Sequence, residues 1–146
     1  MTKANKNRRR GIECVELAIV LPIILLFTAG TLEICESLTL QKKLEVAAHE
    51  GARAAIRRGA VLSDVYDAAR QHLDDRGISY SSDIASVITA TPDPAVAGTL
   101  DPISVSIQVD CDSNLRLRWL SRSFFAGKKL GAEVSMLKEY TNQDVP

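Results

Sequence analysis

The stretch that decides the fold is residues 17–32, LAIVLPIILLFTAGTL, which carries no charged side chain. It follows a basic arm, whose members are Lys3, Lys6, Arg8, Arg9 and Arg10. At ~1.5 Å per residue, residues 17–32 span about 24 Å, which is short of the ~30 Å hydrocarbon core of a bilayer. Residues 12–32 span about 31 Å by the same rise. We therefore expect a transmembrane helix over 12–32 that includes Leu17 and Leu32, with Pro22 as a tolerated kink.

The basic arm also predicts an orientation. Lys and Arg next to a transmembrane helix favour the cytoplasmic side, so the N-terminus is expected in the cytoplasm and the chain after Leu32 on the exported side. A secretory signal cut near Thr28-Ala29-Gly30 is the alternative interpretation of the same stretch.

One acid stands where the apolar helix begins. A carboxylate at the edge of a membrane segment is costly, so Glu16 indicates a positively charged partner. Cleavage after Gly11 would create an α-amino group on Ile12, one helical turn from Glu16 and on the same face. We expect this amine to pair with Glu16, within one subunit or between neighbours.

Two stretches carry a family resemblance. Residues 8–26, RRRGIECVELAIVLPIILL, resemble the leader and first helix of a prepilin-type protein. Residues 38–59, LTLQKKLEVAAHEGARAAIRRG, are similar to the juxtamembrane helix of TadE-like minor pseudopilins of the tight-adherence (Flp-type) pilus system. The family commonly carries a run like Glu50 to Ala55. The sequence departs from it at Glu13, usually a small apolar residue, and at Cys14, commonly alanine.

The resemblance implies a minor pseudopilin needed to assemble a tight-adherence pilus or secretion apparatus. It implies cleavage after Gly11 by a prepilin peptidase, a single span in the bacterial inner membrane, and a periplasmic head. The implied partners are the membrane, the peptidase, other pilin or pseudopilin subunits and the inner-membrane assembly platform. The alternative is an uncleaved signal-anchored envelope protein whose head is a binding or scaffold module.

The patterns predict an α+β fold with three regions: a disordered cationic leader over 1–11, a transmembrane helix over 12–32, and a head over 33–146. The long helix is expected to continue to about residue 58. A second helix with a thin apolar stripe is expected on the surface of the head, from Ser63 as N-cap to about Arg76. Period-two alternation and β-branched residues predict a three-stranded antiparallel sheet over 84–91, 103–111 and 130–136.

Small residues recur on the exported half of the long helix. Ala47, Gly51 and Ala55 lie at steps of four, and such a face lets another backbone approach closely. Two alternatives follow: the face packs on the chain's own sheet, or it contacts a neighbouring subunit.

Composition argues against nucleic acid and catalysis. The chain carries 18 Lys and Arg against 18 Asp and Glu, and without residues 1–11 it would carry 13 against 18. An acidic remainder disfavours a nucleic-acid partner. His49 and His72 lack a ligand-spaced set, and catalytic motifs are absent, so no metal, cofactor or enzymatic activity is expected.

Two further features remain open at this stage. Cys35 and Cys111 would share an oxidising compartment, and a disulfide between them or between subunits is one expectation. The segment with Trp119, Phe124 and Phe125 combines aromatic residues with arginines and lysines. It is either a patch that docks a partner or a membrane surface, or a hairpin whose aromatic residues fill a small core.

Overall fold

One long helix leads into a small head. The computed structural model of the protein describes residues 3–115 and 127–139. Helix α1 spans Lys3–Ala55 and continues through Pro22. The prediction of a disordered leader is wrong from Lys3 onward. The basic arm is rich in Lys and Arg, which have high helix propensity, and Gly11 is a single residue of low helix propensity.

Helix α2 follows α1 after a tight turn. Gly59 has a φ of +73°, a left-handed conformation that suits glycine and lets the chain reverse. Helix α2 spans Leu62–Asp75 with Val61 as N-cap, so the predicted cap at Ser63 is wrong. The reason is Asp64, whose Oδ2 accepts a hydrogen bond from the Val61 backbone N–H at 3.1 Å and starts the helix two residues early.

The remaining elements form the predicted three-stranded antiparallel sheet. Strands β1 (Ile88–Thr91), β2 (Pro102–Asp110) and β3 (Lys129–Leu137) lie in the order β1-β2-β3. The predicted first strand was too long, because Ile84–Ser86 form a 3-10 turn ahead of β1. The second ends one residue early, since Cys111–Asn114 form a short helix, α3. The α+β class is confirmed.

The sheet packs one face on α1 and α2. Ile103, Val105 and Ile107 of β2 are fully buried, while the serines between them are half-buried. Each helix contributes its own buried stripe, formed by Leu40, Leu44, Ala47, Ala48, Ala52 and Ala55 of α1 and by Val65, Ala69 and Leu73 of α2. The inner side chains of β3 are only half-buried, so the core is densest under β2.

Candidate functional site

The first half of α1 exposes large apolar side chains along its length. Those from Val15 to Leu38 are between 42 and 71% exposed, with Phe27 the most exposed. Within the described part of the chain, α1 is the one helix that is long and apolar enough to cross a membrane. Apolar surface on this scale is unfavourable in water. The helix is therefore a candidate membrane span, and its surroundings are lipid or other apolar helices.

The hydroxyl groups on this half of α1 are satisfied inside the helix. Thr28 Oγ1 donates to the Ile24 carbonyl at 2.7 Å, and Thr31 Oγ1 donates to the Thr28 carbonyl at 2.8 Å. Thr39 Oγ1 bonds the Cys35 carbonyl at 2.7 Å in the same way. Hydroxyls that bond to their own helix do not require water, so these residues are compatible with an apolar environment.

The predicted processing residues all lie within α1. Gly11, Ile12 and Glu16 are helical, which puts positions 12 and 16 one turn apart. The Glu16 side chain is exposed, as is that of Glu13. The structure thus gives the backbone geometry that the pairing hypothesis requires.

The small-residue face of α1 packs within its own chain. Ala47 and Ala55 are fully buried and Gly51 is buried. A Cβ added to Gly51 would lie 3.3 Å from Val105 Cγ1, 3.4 Å from Ala69 Cβ and 3.5 Å from Val65 Cγ1. Gly51 therefore lies where α1 closely approaches both α2 and β2. Of the two alternatives, the structure has this face packed on elements of its own chain, so the head covers it.

The structure does not join Cys35 to Cys111. Both thiols are free, as is Cys14; Cys35 is exposed on α1 and Cys111 is buried in the core. Burial raises the pKa of the Cys111 thiol, and the carboxylates of Asp112 and Asp110 raise it further. The predicted intramolecular disulfide is absent here because Cys111 turns into the core at the start of α3.

Open clefts flank the head half of α1. A cleft of about 340 Å³ lies at the junction of the apolar and packed halves, lined by Leu32, Cys35, Glu36, Thr39, Leu40, Lys43 and Asn114. A second, of about 640 Å³, lies at the far end of α1, lined by Arg53, Ile56, Arg57, Arg58 and Glu139. Sequence reasoning missed both, because each combines α1 with residues distant in sequence.

A buried lysine anchors the loop between β1 and β2. The Lys138 side chain is fully buried, and its ammonium donates to the Pro94 carbonyl and, at 3.4 Å, to the Ala97 carbonyl. The Lys138 backbone N–H donates to the Asp101 carbonyl at 3.0 Å. No sequence signal indicated this role, because a lysine after a strand is ordinarily solvated.

The remaining expectations concern the aromatic patch and metal binding. Trp119, Phe124 and Phe125 lie outside the described residues. His49 is exposed and His72 is half-buried. Across residues 3–115 and 127–139, no group of three or more His, Cys, Asp or Glu residues is arranged to hold a metal ion.

Comparison with known proteins supports the family resemblance. Residues 11–53 match the model of the TadE-like protein family, so this segment is similar to that family. No curated protein and no solved structure gives a significant match to the chain. The match covers less than a third of the chain, so it shows the likeness of this segment alone.

Proposed function

From the TadE-like character of α1, we propose that the protein is a minor pseudopilin of a tight-adherence pilus or secretion apparatus. Helix α1 anchors it in the bacterial inner membrane, with the N-terminus in the cytoplasm and the head in the periplasm. One observation carries the proposal: the family match begins at Gly11 and stops at Arg53, two residues before α1 ends. The match therefore covers the exposed apolar half and the half that packs on the head.

Processing is the first step of the proposed role. A prepilin peptidase hydrolyses the peptide bond between Gly11 and Ile12, which leaves a carboxylate on Gly11 and an amine on Ile12. Glycine in a helix interior lowers helix stability by roughly 0.5–1 kcal/mol relative to alanine. The turn of α1 that contains Gly11 therefore unfolds locally more readily than the neighbouring turns. The five basic residues of the arm leave with the leader.

Charge pairing is the second step. The new amine lies one turn from Glu16, whose exposed carboxylate is accessible to the amine of its own chain or of a neighbouring subunit. The pairing neutralises two charges where subunits associate through their apolar helices. Because a buried charge without a partner is strongly destabilising, loss of one partner should block association.

The partners follow from these steps. The peptidase acts on the leader, other pilin or pseudopilin subunits contact the apolar half of α1, and the assembly platform receives the processed subunit. The protein itself is structural, with no catalytic role.

A matched pair of acids tests the proposal. Glu13 and Glu16 are both exposed on α1, so Glu13→Gln and Glu16→Gln each remove one negative charge from the same region. We expect Glu16→Gln to reduce pilus assembly at least tenfold while the protein still accumulates in the membrane. Glu13→Gln should assemble normally. Normal assembly of Glu16→Gln would refute the pairing step.

A further inference from the structure

The apolar face of α1 extends beyond residue 32. Leu32 is 52% exposed, and Ile34 and Leu38 are 58% and 56% exposed on the next two turns. Cys35 and Thr39 are also exposed, along the open cleft beside Asn114, and the Thr39 hydroxyl is bonded within the helix. The exposed side of α1 thus carries no charge between Glu16 and Lys42.

The two acids in this region lie off that side. Glu33 is only 7% exposed, although Leu32 and Ile34 on either side of it are more than half exposed. Glu36 is half-buried and lines the cleft beside Asn114 of the head. At 100° per residue, positions 33, 40 and 44 lie on the side toward the head. Glu33 and Glu36, the first acids after the apolar run, therefore lie toward the head.

The first strongly exposed charges follow one turn after Leu38. Lys42 and Glu45 are paired at 2.7 Å, with side chains 78% and 51% exposed. Paired, hydrated charges of this kind belong in the headgroup layer or in water. They set the outer limit of the apolar face.

We propose that the lipid-contacting span of α1 is residues 17–38, displaced outward from the span predicted at 12–32, and that acyl chains cover Ile34 and Leu38. Residues 17–38 are about 33 Å long at ~1.5 Å per residue, which matches the ~30 Å hydrocarbon core with a slight tilt. The inference rests on the proposed membrane anchoring and deepens it by naming lipid as the partner of this face.

The displaced register has two consequences. The membrane-proximal end of the head lies against the outer edge of the hydrocarbon, because Asn114 of the head lines a cleft with Leu32 and Glu36 of the span. Glu16 lies at the inner boundary rather than within the hydrocarbon, so its pairing with the Ile12 amine gains most when the helix leaves the lipid and joins other subunits.

Spin-label accessibility tests the register on the full chain. Cys14→Ser and Cys35→Ser remove the exposed thiols, and the buried Cys111 is kept, with the unlabelled background as control. Nitroxides are then introduced singly through Ile34→Cys, Leu38→Cys, Val46→Cys and His49→Cys. The protein is reconstituted in phosphatidylethanolamine and phosphatidylglycerol vesicles, and collision rates with oxygen and with a neutral nickel chelate are compared.

The expected result is oxygen access several-fold above nickel access at positions 34 and 38, and the reverse at 46 and 49. Nickel access at 34 and 38 equal to that at 49 would overturn the proposal and end the span at Leu32. Low access to both reagents at 34 and 38 would also overturn it, because a second protein copy would then cover the face. Neither outcome bears on the proposed cleavage after Gly11. Failure of the chain to insert in vesicles would instead refute the proposed membrane anchoring.

Discussion

The two halves of α1 share one secondary structure and have opposite surroundings. Before residue 40 the large apolar side chains point outward and are about half exposed, whereas from Leu40 to Ala55 all but Val46 lie against the head. The first half is apolar around most of its circumference, and the second has one apolar stripe. The difference shows that one helix serves two environments, and that the change falls near Leu40, later than the first acids in the sequence.

Leucine truncation should separate the halves most strongly. Leu44 is fully buried and Leu38 is 56% exposed. Leu44→Ala should lower the free energy of unfolding of the head by about 2–5 kcal/mol, because it leaves a cavity. Leu38→Ala should change it by less than about 0.5 kcal/mol. Urea unfolding of the full chain in detergent micelles, followed by near-UV circular dichroism, measures the free energy of unfolding of both variants. Equal losses of stability would contradict the claim that the two halves of α1 have different surroundings.

Two glycines provide a second matched pair. A Cβ at Gly51 would meet three side chains within 3.5 Å, whereas one at Gly30 would meet no atom within 4 Å. Gly51→Leu should destabilise the head by about 1–3 kcal/mol or more through overpacking. Gly30→Leu should leave its melting temperature unchanged. If Gly30→Leu leaves the stability of the head normal but lowers pilus assembly, the exposed half of α1 contacts other subunits near residue 30.

Lys138 tests whether the head depends on polar burial as well as apolar packing. Lys138→Met removes the donor of the Pro94 and Ala97 carbonyls and should cost about 1–3 kcal/mol, because both acceptors lose a partner in a buried site. The exposed Lys129 is the control, and Lys129→Met should be near neutral. Equal thermal midpoints for the two variants would show that the buried ammonium contributes nothing.

The smallest expected effect is a loss of stability at alkaline pH. Burial raises the pKa of Cys111 above its ordinary 9.0, and the hydrogen bond to Asp74 raises the pKa of Tyr80 above 10.0. The folded state therefore favours both neutral forms. Their contribution is complete below the ordinary pKa values and is lost as pH rises through the folded ones.

The melting temperature of the head should accordingly fall as pH rises above about 9. Cys111→Ala combined with Tyr80→Phe should show a shallower fall over the same range. An identical fall of the melting temperature with pH in the wild type and the double variant would show that Cys111 and Tyr80 do not cause the loss of stability.

Elements with a clear period could be predicted from sequence. The alternation from Ile103 to Val109 gave β2, and the apolar run gave the first half of α1. The side of α1 that each acid faces could not be predicted. Glu33 is buried from solvent in the folded protein, and its burial depends on how the head packs against the helix. The same limit applies to Gly51, whose neighbours Val65 and Val105 come from two distant elements, and to Lys138, whose acceptors lie more than 40 residues away.

The most direct test of the whole account is the N-terminus of the protein recovered from assembled, functional pili or secretion complexes. Intact-mass and N-terminal peptide analysis should find a chain that begins at Ile12, without the basic arm. A chain that retains the residues before Gly11 in working assemblies would contradict the account and favour an uncleaved anchor that carries a binding or scaffold head.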